Sequence, residues 1–489
     1  MTTSRRAGAG WAIVASSVPM FMVALNNLVV TNALPQIAKD LGADIEQLGW
    51  VINAYVLAFA GLLLTGAALG DRFGRRRTFV AAIVVFGVGS LACALAPNIG
   101  LLLAARVVQG AGAAAVLPLS LTVLAAGVSD AKRNLAIGLW GGINGLAIAI
   151  GPLVGGAVTD GLNWQWIFWI NLPVGAVAVP IVLWAVRETH GTDRTLDLLG
   201  MLLVSAAVTT AVWAIVEVHD AGWTSARILL AFGLAVALLV AFVQWERRAT
   251  GPLLPLRFYR IRSFVLSNVA SITMYFGVFG SIFFLMQYLQ GPLGYSPLEA
   301  GLRTLPWTVM PMVIAPLSGA LTDRVGGGRL MAAGLALQAV GLGWIASIAT
   351  VDLAYGRMVA PMIVAGIGMG LMFAPTTAVV LGSVRAHEYG KASGANNTVR
   401  EVGGALGIAV LVTVFQNAAD DVVIRSADDA AQAFVRGMVP AIWVGVAVVV
   451  AGAVAAAFIP RRLAGSAAAP VPAAAPAPAT PGVSAVSYT

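Results

Sequence analysis

The sequence predicts an all-helical, polytopic membrane protein of fourteen spans. Three observations carry that reading: the composition, the number of long apolar runs, and a loop that occurs twice at matching places. Of 489 residues, 59% are hydrophobic and 10% charged, against about 25% charged in a soluble domain. Mean hydropathy is +0.88. The formal charge of +8 does not mark a nucleic-acid partner, because the 29 basic residues fall in short clusters between apolar runs rather than along one face. The single cysteine, Cys93, lies in an apolar run, which excludes an internal disulfide and argues against a thiol metal centre. No metal and no cofactor is expected.

Backbone amides in hydrocarbon must bond within their own helix, so a span needs about 20 mostly apolar residues. Such runs cover 11–34, 48–70, 78–96, 99–125, 134–158, 166–186, 198–218, 226–245, 264–289, 301–322, 330–350, 357–381, 399–416 and 437–459. The first follows Arg5 and Arg6 as a signal peptide would, yet no small-residue cleavage site interrupts it, and it is read as a retained span. Fourteen spans place both termini on one side. On that side lie 22 of the 29 basic residues, with six on the other, so the termini are expected in the cytoplasm. Beyond Arg462 the Ala/Pro-rich tail is expected to be disordered.

After span 2 the chain reads GAALGDRFGRRR, Gly66 to Arg77, and after span 10 it reads GALTDRVGGGR, Gly319 to Arg329. Both contain Leu-x-Asp-Arg-x-Gly. Gly74 and Gly326 permit the turn, while Arg72, Arg75 and Arg324 sit where inner-side charge is favoured. Asp71 and Asp323 are expected to cap a short helix or to form a gating salt bridge. The two aspartates are 252 residues apart, whereas the first six spans occupy 176, and the excess holds spans 7 and 8. The plan is therefore 6 + 2 + 6: a six-helix bundle over 1–187, two inserted spans with a linker over 188–262, a second bundle over 263–460, and the tail 461–489. Parallel halves of this kind enclose a central cavity and alternate access by rocking.

Further segments carry a family resemblance. They are RVVQGAGAA from Arg106, GPLVGG from Gly151, WQWIFWINLP from Trp164, YLQGPLGYSPLEAGLRTLP from Tyr288 and NNTVREVGGALG from Asn396. In this order, and with the repeated loop, they resemble the major facilitator superfamily, specifically its 14-span drug:proton antiporters of the EmrB and QacA type. The resemblance runs from Trp11 to about Ile459. It implies secondary active export of lipophilic small molecules, such as drugs or antibiotics, by alternating access in the cell membrane, with protons as the coupling ion and no enzymatic step. The chain departs from the pattern at Ala67, Ala147 and Gln165, where relatives usually have Gly, Gly and Arg.

Arg106 falls inside span 4, where a charge costs about 2.5–3.5 kcal/mol, so it should face protein or water. Packing against carbonyls is the plainer reading; the resemblance adds a place on the proton and substrate path, with Gln109 one turn along. Gly151, Gly155 and Gly156 let helices approach closely and Pro152 bends the span; in the family this antiporter motif accompanies exporters. Tyr275, Phe279 and Phe283 recur at helical spacing and could line a greasy cavity, although most such residues are core or lipid-facing. Trp50, Asn53 and Tyr55 are weaker candidates of that kind.

A proton antiporter needs a group that ionises within the membrane, and by these boundaries no acid lies in the middle of a span. Relatives supply one in span 1; here the same frame reads Leu25-Asn26-Asn27-Leu28-Val29-Val30, with Asn26 at the acid's position. An amide cannot release a proton. Three readings follow. In one, the proton site is elsewhere, at Glu217, Glu401 or Asp71 in that order. In the second, the protein is a weakly coupled or uncoupled facilitator of neutral or anionic substrates. The third, a membrane-embedded enzyme or ATP-driven pump, is unsupported: no HExxH, no paired Cys/His spacing and no phosphate-binding GxxxxGK[ST] occurs. Beyond protons and a lipophilic substrate, the lipid bilayer is the only partner required, and a monomer suffices.

Overall fold

A computed structural model of the chain describes residues 9–43, 45–191, 197–419 and 426–460. The tail 461–489 lies outside the described residues, as do the side chains at some positions inside the first and fifth helices, Asn27, Pro152 and Gly156 among them. The α-helices are α1 (Ala9–Leu41), α2 (Ile45–Phe73), α3 (Arg75–Ala94), α4 (Ile99–Gly127), α5 (Asp130–Gly161), α6 (Trp166–Trp169), α7 (Asn171–Ala185), α8 (Leu198–Ala221) and α9 (Ala226–Glu246). After a short 3-10 turn, Leu256–Arg260, come α10 (Arg262–Gln290), α11 (Pro297–Arg303), α12 (Leu305–Thr308), α13 (Met310–Val325), α14 (Gly327–Ile348) and α15 (Gly356–Gly382). A second 3-10 turn, Ala386–Glu388, leads into α16 (Tyr389–Ala419) and α17 (Ala427–Ala457). No strand occurs among the described residues, and twelve helical segments there are long and apolar enough to cross a membrane. α1 and α5, of 33 and 32 residues, are not counted among these, and each includes positions outside the description.

Contacts sort the helices into groups. α2 and α3 pack on α4, and α1 packs on α5, α4 and α7; α10 packs on α16 and α17, and α14 on α15 and α17. α8 pairs with α9 and also touches both α2 and α16. There the hydroxyls of Thr65 and Ser205 meet at 3.1 Å, and Trp223 Nε1 donates to Thr413 Oγ1 at 2.7 Å.

The repeated loop produces the same break twice. Gly74, between α2 and α3, has φ +104°, and Gly326, between α13 and α14, has φ +97°, a region L side chains rarely enter. Gly326→Ala is expected to cost about 1–3 kcal/mol, read as a lowered Tm of the purified protein, whereas Gly356→Ala, where a Cβ meets open space, should change little.

The aspartates of these loops do not cap a short helix. Asp71 lies in the last turn of α2, is buried, and accepts from Arg75 Nε at 2.9 Å; Arg75 Nη2 in turn donates to the carbonyl of His387 at 3.2 Å. The second copy has Gly327 where the first has Arg75, and Asp323 instead accepts from Asn134 Nδ2 of α5 at 2.6 Å. Arg72 lies over the ring of Phe73.

Both loops lie at one end of the bundle, and that end is closed. A Cβ added at Gly390 would stand 2.9 Å from Asp71 Oδ2, one at Gly394 3.2 Å from Leu64, and one at Gly138 2.6 Å from the carbonyl of Ala315. The linker braces the same closure: Arg257 pairs with Glu388, and Lys391 Nζ donates to the carbonyl of Pro252 at 2.7 Å.

Candidate transport cavity and its buried arginines

Midway along the helices, a cavity of about 140 Å³ lies between the two groups. α1, α2, α4 and α5 contribute Val23, Ala24, Tyr55, Phe59, Leu117, Trp140 and Asn144. The opposite wall, from α10, α15 and α16, contributes Met274, Tyr275, Val278, Phe279, Ile282, Met369, Phe373, Asn397, Arg400 and Glu401. Sites for drug-sized ligands run to about 300–1,000 Å³, so such a substrate requires the walls to part further.

Two aromatic stacks face this space. Tyr55 and Phe59, one helical turn apart, stack at 5.8 Å with an interplanar angle of 15°. Tyr275 and Phe279, also a turn apart, stack at 5.5 Å and 17°. Each tyrosine has a guanidinium at its face: Arg106 Cζ is 4.3 Å from the Tyr55 ring centre, and Arg400 Cζ is 5.5 Å from that of Tyr275.

Arg106 therefore stands behind the cavity wall and not in it. It is fully buried, donating through Nε to the carbonyl of Val51 at 2.9 Å and through Nη1 to Asn26 Oδ1 at 3.0 Å and Gln109 Oε1 at 2.7 Å. Gln109 Nε2 passes the chain on to Ser90 Oγ at 2.7 Å, which also accepts from Asn171 Nδ2 at 3.2 Å. Among the described residues no carboxylate pairs with Arg106, whose Nη2 finds no hydrogen-bond partner. Its hydrogen-bond partners are all neutral oxygens, so its charge is solvated but not cancelled among the described residues.

Several expectations change with these positions. Asn26, Arg106 and Gln109 form one network; only the Arg106–Gln109 neighbourhood was expected from the sequence, and none of the three lines the cavity. Tyr275 and Phe279 do line it; Phe283 does not, being 39% exposed and set edge-on against Phe284, because two turns beyond Tyr275 the 3.6-residue period has carried it off the cavity face and Ile282 takes its place. Glu217 is ion-paired with Arg227 at 3.5 Å near the α8–α9 turn and does not reach the cavity, since α8 packs against the bundles from outside. Asp71 is held in the end closure. Gly151 and Gly155 are buried in α5, and earlier on the same helix a Cβ at Gly142 would stand 3.0 Å from Met312 O, and one at Gly145 2.8 Å from Pro311.

The largest correction concerns Glu401. Span 13 was expected to begin at 399, which put this acid at a membrane edge, but α16 starts at Tyr389 and carries Glu401 well into the helix, onto the cavity wall. Glu401 is the one Asp or Glu among the lining residues, and the charge acting on it is that of Arg400 beside it. The overlooked signal was the spacing of Asn397, Arg400 and Glu401, three and four apart, which places all three near one helix face.

An all-helical protein with these spans and a central cavity between helix groups is a membrane transporter by its class of architecture. The comparisons agree. A family model described as Major Facilitator Superfamily matches residues 18–408. The chain is 34% identical over 418 residues to the tetracenomycin C resistance and export protein of Streptomyces glaucescens, covering 85% of this chain and 78% of that one. It is 36% identical over 428 residues to the cephamycin export protein CmcT of Amycolatopsis lactamdurans, covering 84% and 86%. Among solved structures, the proton:xylose symporter XylE superposes with a TM-score of 0.66 at 13% identity, covering 92% of this chain and 96% of that one, and so shares the fold. The chain belongs to the major facilitator superfamily and is a multi-pass protein of the cell membrane.

Proposed function

We propose that the protein is a secondary active exporter of lipophilic small molecules, coupled to proton entry through Glu401. The observation that carries it is the position of Glu401 as the acid of the cavity wall, where the family frame has lost its span-1 acid to Asn26. Antiport follows if an ionised Glu401 admits substrate and a protonated one does not, so that each reorientation carries one or the other. The names of the relatives, resistance and export proteins for antibiotics, support the direction and the kind of cargo.

In the same reading the chain crosses the membrane fourteen times as 6 + 2 + 6, with α1 and α5 joining the twelve spans above. The closed end with its two Asp-Arg loops faces the cytoplasm together with both termini, as the bias of basic residues demands. The structure is then the state sealed to the cytoplasm. One chain encloses the cavity, so a monomer is sufficient.

The test is efflux from vesicles of purified protein with and without an imposed pH gradient. Transport that accelerates and runs uphill with the gradient is expected. Transport indifferent to it would favour the facilitator reading, which Asn26 otherwise invites.

A further inference from the structure

We infer that the cavity selects uncharged planar aromatic compounds and rejects lipophilic cations, because both aromatic walls already carry an arginine and the inner one is not neutralised. The inference rests on the reading of this cavity as the substrate site and adds the charge class of what enters it.

Greasy aromatic cavities commonly attract organic cations, since the ring face is negative. Here that attraction is already in use. The guanidiniums of Arg106 and Arg400 lie 4.3 and 5.5 Å from the Tyr55 and Tyr275 ring centres, so an incoming cation would share each quadrupole with a charge of its own sign. Arg400 and Glu401 are adjacent and offset each other at a distance. Among the described residues Arg106 is hydrogen-bonded to the neutral oxygens of Asn26, Gln109 and Val51 and to no carboxylate, and its charge remains. Two like charges about 8 Å apart at intermediate dielectric lose about thirtyfold in affinity. A flat, neutral ring system keeps the stacking against Tyr55–Phe59 and Tyr275–Phe279 and meets no such repulsion. Hydroxyl or amide groups on its edge would find Asn144 and Asn397, both in the lining.

Asn26 is then a selectivity residue acting through Arg106. With Asp at position 26, the 3.0 Å contact to Arg106 Nη1 would become an ion pair, and the charge behind Tyr55 would be cancelled.

The test is equilibrium binding to the purified full-length protein, using anthracenemethanol and anthracenemethylammonium, which share one ring system and differ in charge. The neutral probe is expected to bind the wild type at least about tenfold more tightly. Asn26→Asp is expected to bring the ratio close to unity, while its affinity for the neutral probe holds. Equal or tighter binding of the ammonium probe to the wild type would overturn the inference without recourse to any variant, as would an unchanged ratio in a folded Asn26→Asp protein. No gradient enters these measurements. If neither probe binds, the cavity is not the substrate site and both readings fall; if both bind alike, only the charge selectivity does.

Discussion

Glu401→Gln should abolish uphill export and weaken substrate binding. One pH unit across the membrane is worth about 1.4 kcal/mol per proton, so one-for-one exchange of a proton against a neutral substrate sustains about a tenfold concentration ratio. Glutamine keeps the shape and hydrogen bonding of the protonated acid but cannot ionise. In vesicles the variant should therefore show no ratio above unity at any gradient. With the same substrate on both sides, labelled molecules should exchange more slowly than in the wild type, because a permanently neutral side chain mimics the protonated state that disfavours substrate. Uphill export by Glu401→Gln equal to that of the wild type would place coupling elsewhere. Glu217, tied to Arg227 outside the bundles, should be replaceable by Gln without that loss.

The second large effect is expected at the closed end. Arg75 is 5% exposed, joins Asp71 of α2 to the carbonyl of His387 before α16, and so ties the two sides of the closure together. Arg75→Ala leaves the Asp71 carboxylate buried without its cation, a change that costs about 3–5 kcal/mol where it occurs in a fixed structure. The molecule can relieve that cost by opening, and a bias of about 3 kcal/mol moves an open-to-closed ratio by about a hundredfold. Because Cys93 is the sole cysteine and is buried, a reporter is easily placed: Leu117→Cys in a Cys93→Ser background puts one thiol in the cavity. An impermeant maleimide added from the closed end should label it at least tenfold faster with Arg75→Ala than without, and Arg75→Lys should recover part of the protection. Equal labelling rates would show that the latch does not hold the gate.

What the sequence made legible, and what it hid, has a physical pattern. Apolar runs read well wherever a helix faces lipid or packed side chains; α9 and α10 match their expected limits within a few residues. The repeated loop was legible because a turn at φ near +100° demands glycine, and so repeats in sequence what repeats in structure. Reading failed where a helix faces the gate and the cavity. The first turns of α16 carry Lys391, Asn396, Asn397, Arg400 and Glu401, all polar because they meet the linker, α10 and the cavity, and hydropathy therefore began that span ten residues late. That single slip put Glu401 at a membrane edge and left it ranked behind Glu217 among the proton-site candidates. Asn26 failed differently. Its neighbour in space is Arg106, 80 positions away, so the residue that looked like a lost proton site proves to be the acceptor that holds a buried guanidinium.

The most direct measurement is proton release on substrate binding. In weakly buffered detergent solution near neutral pH, adding a neutral aromatic substrate to the wild type should release a proton from each molecule that was protonated at Glu401, whereas Glu401→Gln should bind the substrate more weakly and, at concentrations where it does bind, release none. Binding without proton release in the wild type, or the same release in Glu401→Gln, would contradict a cavity that holds substrate and the Glu401 proton in alternation.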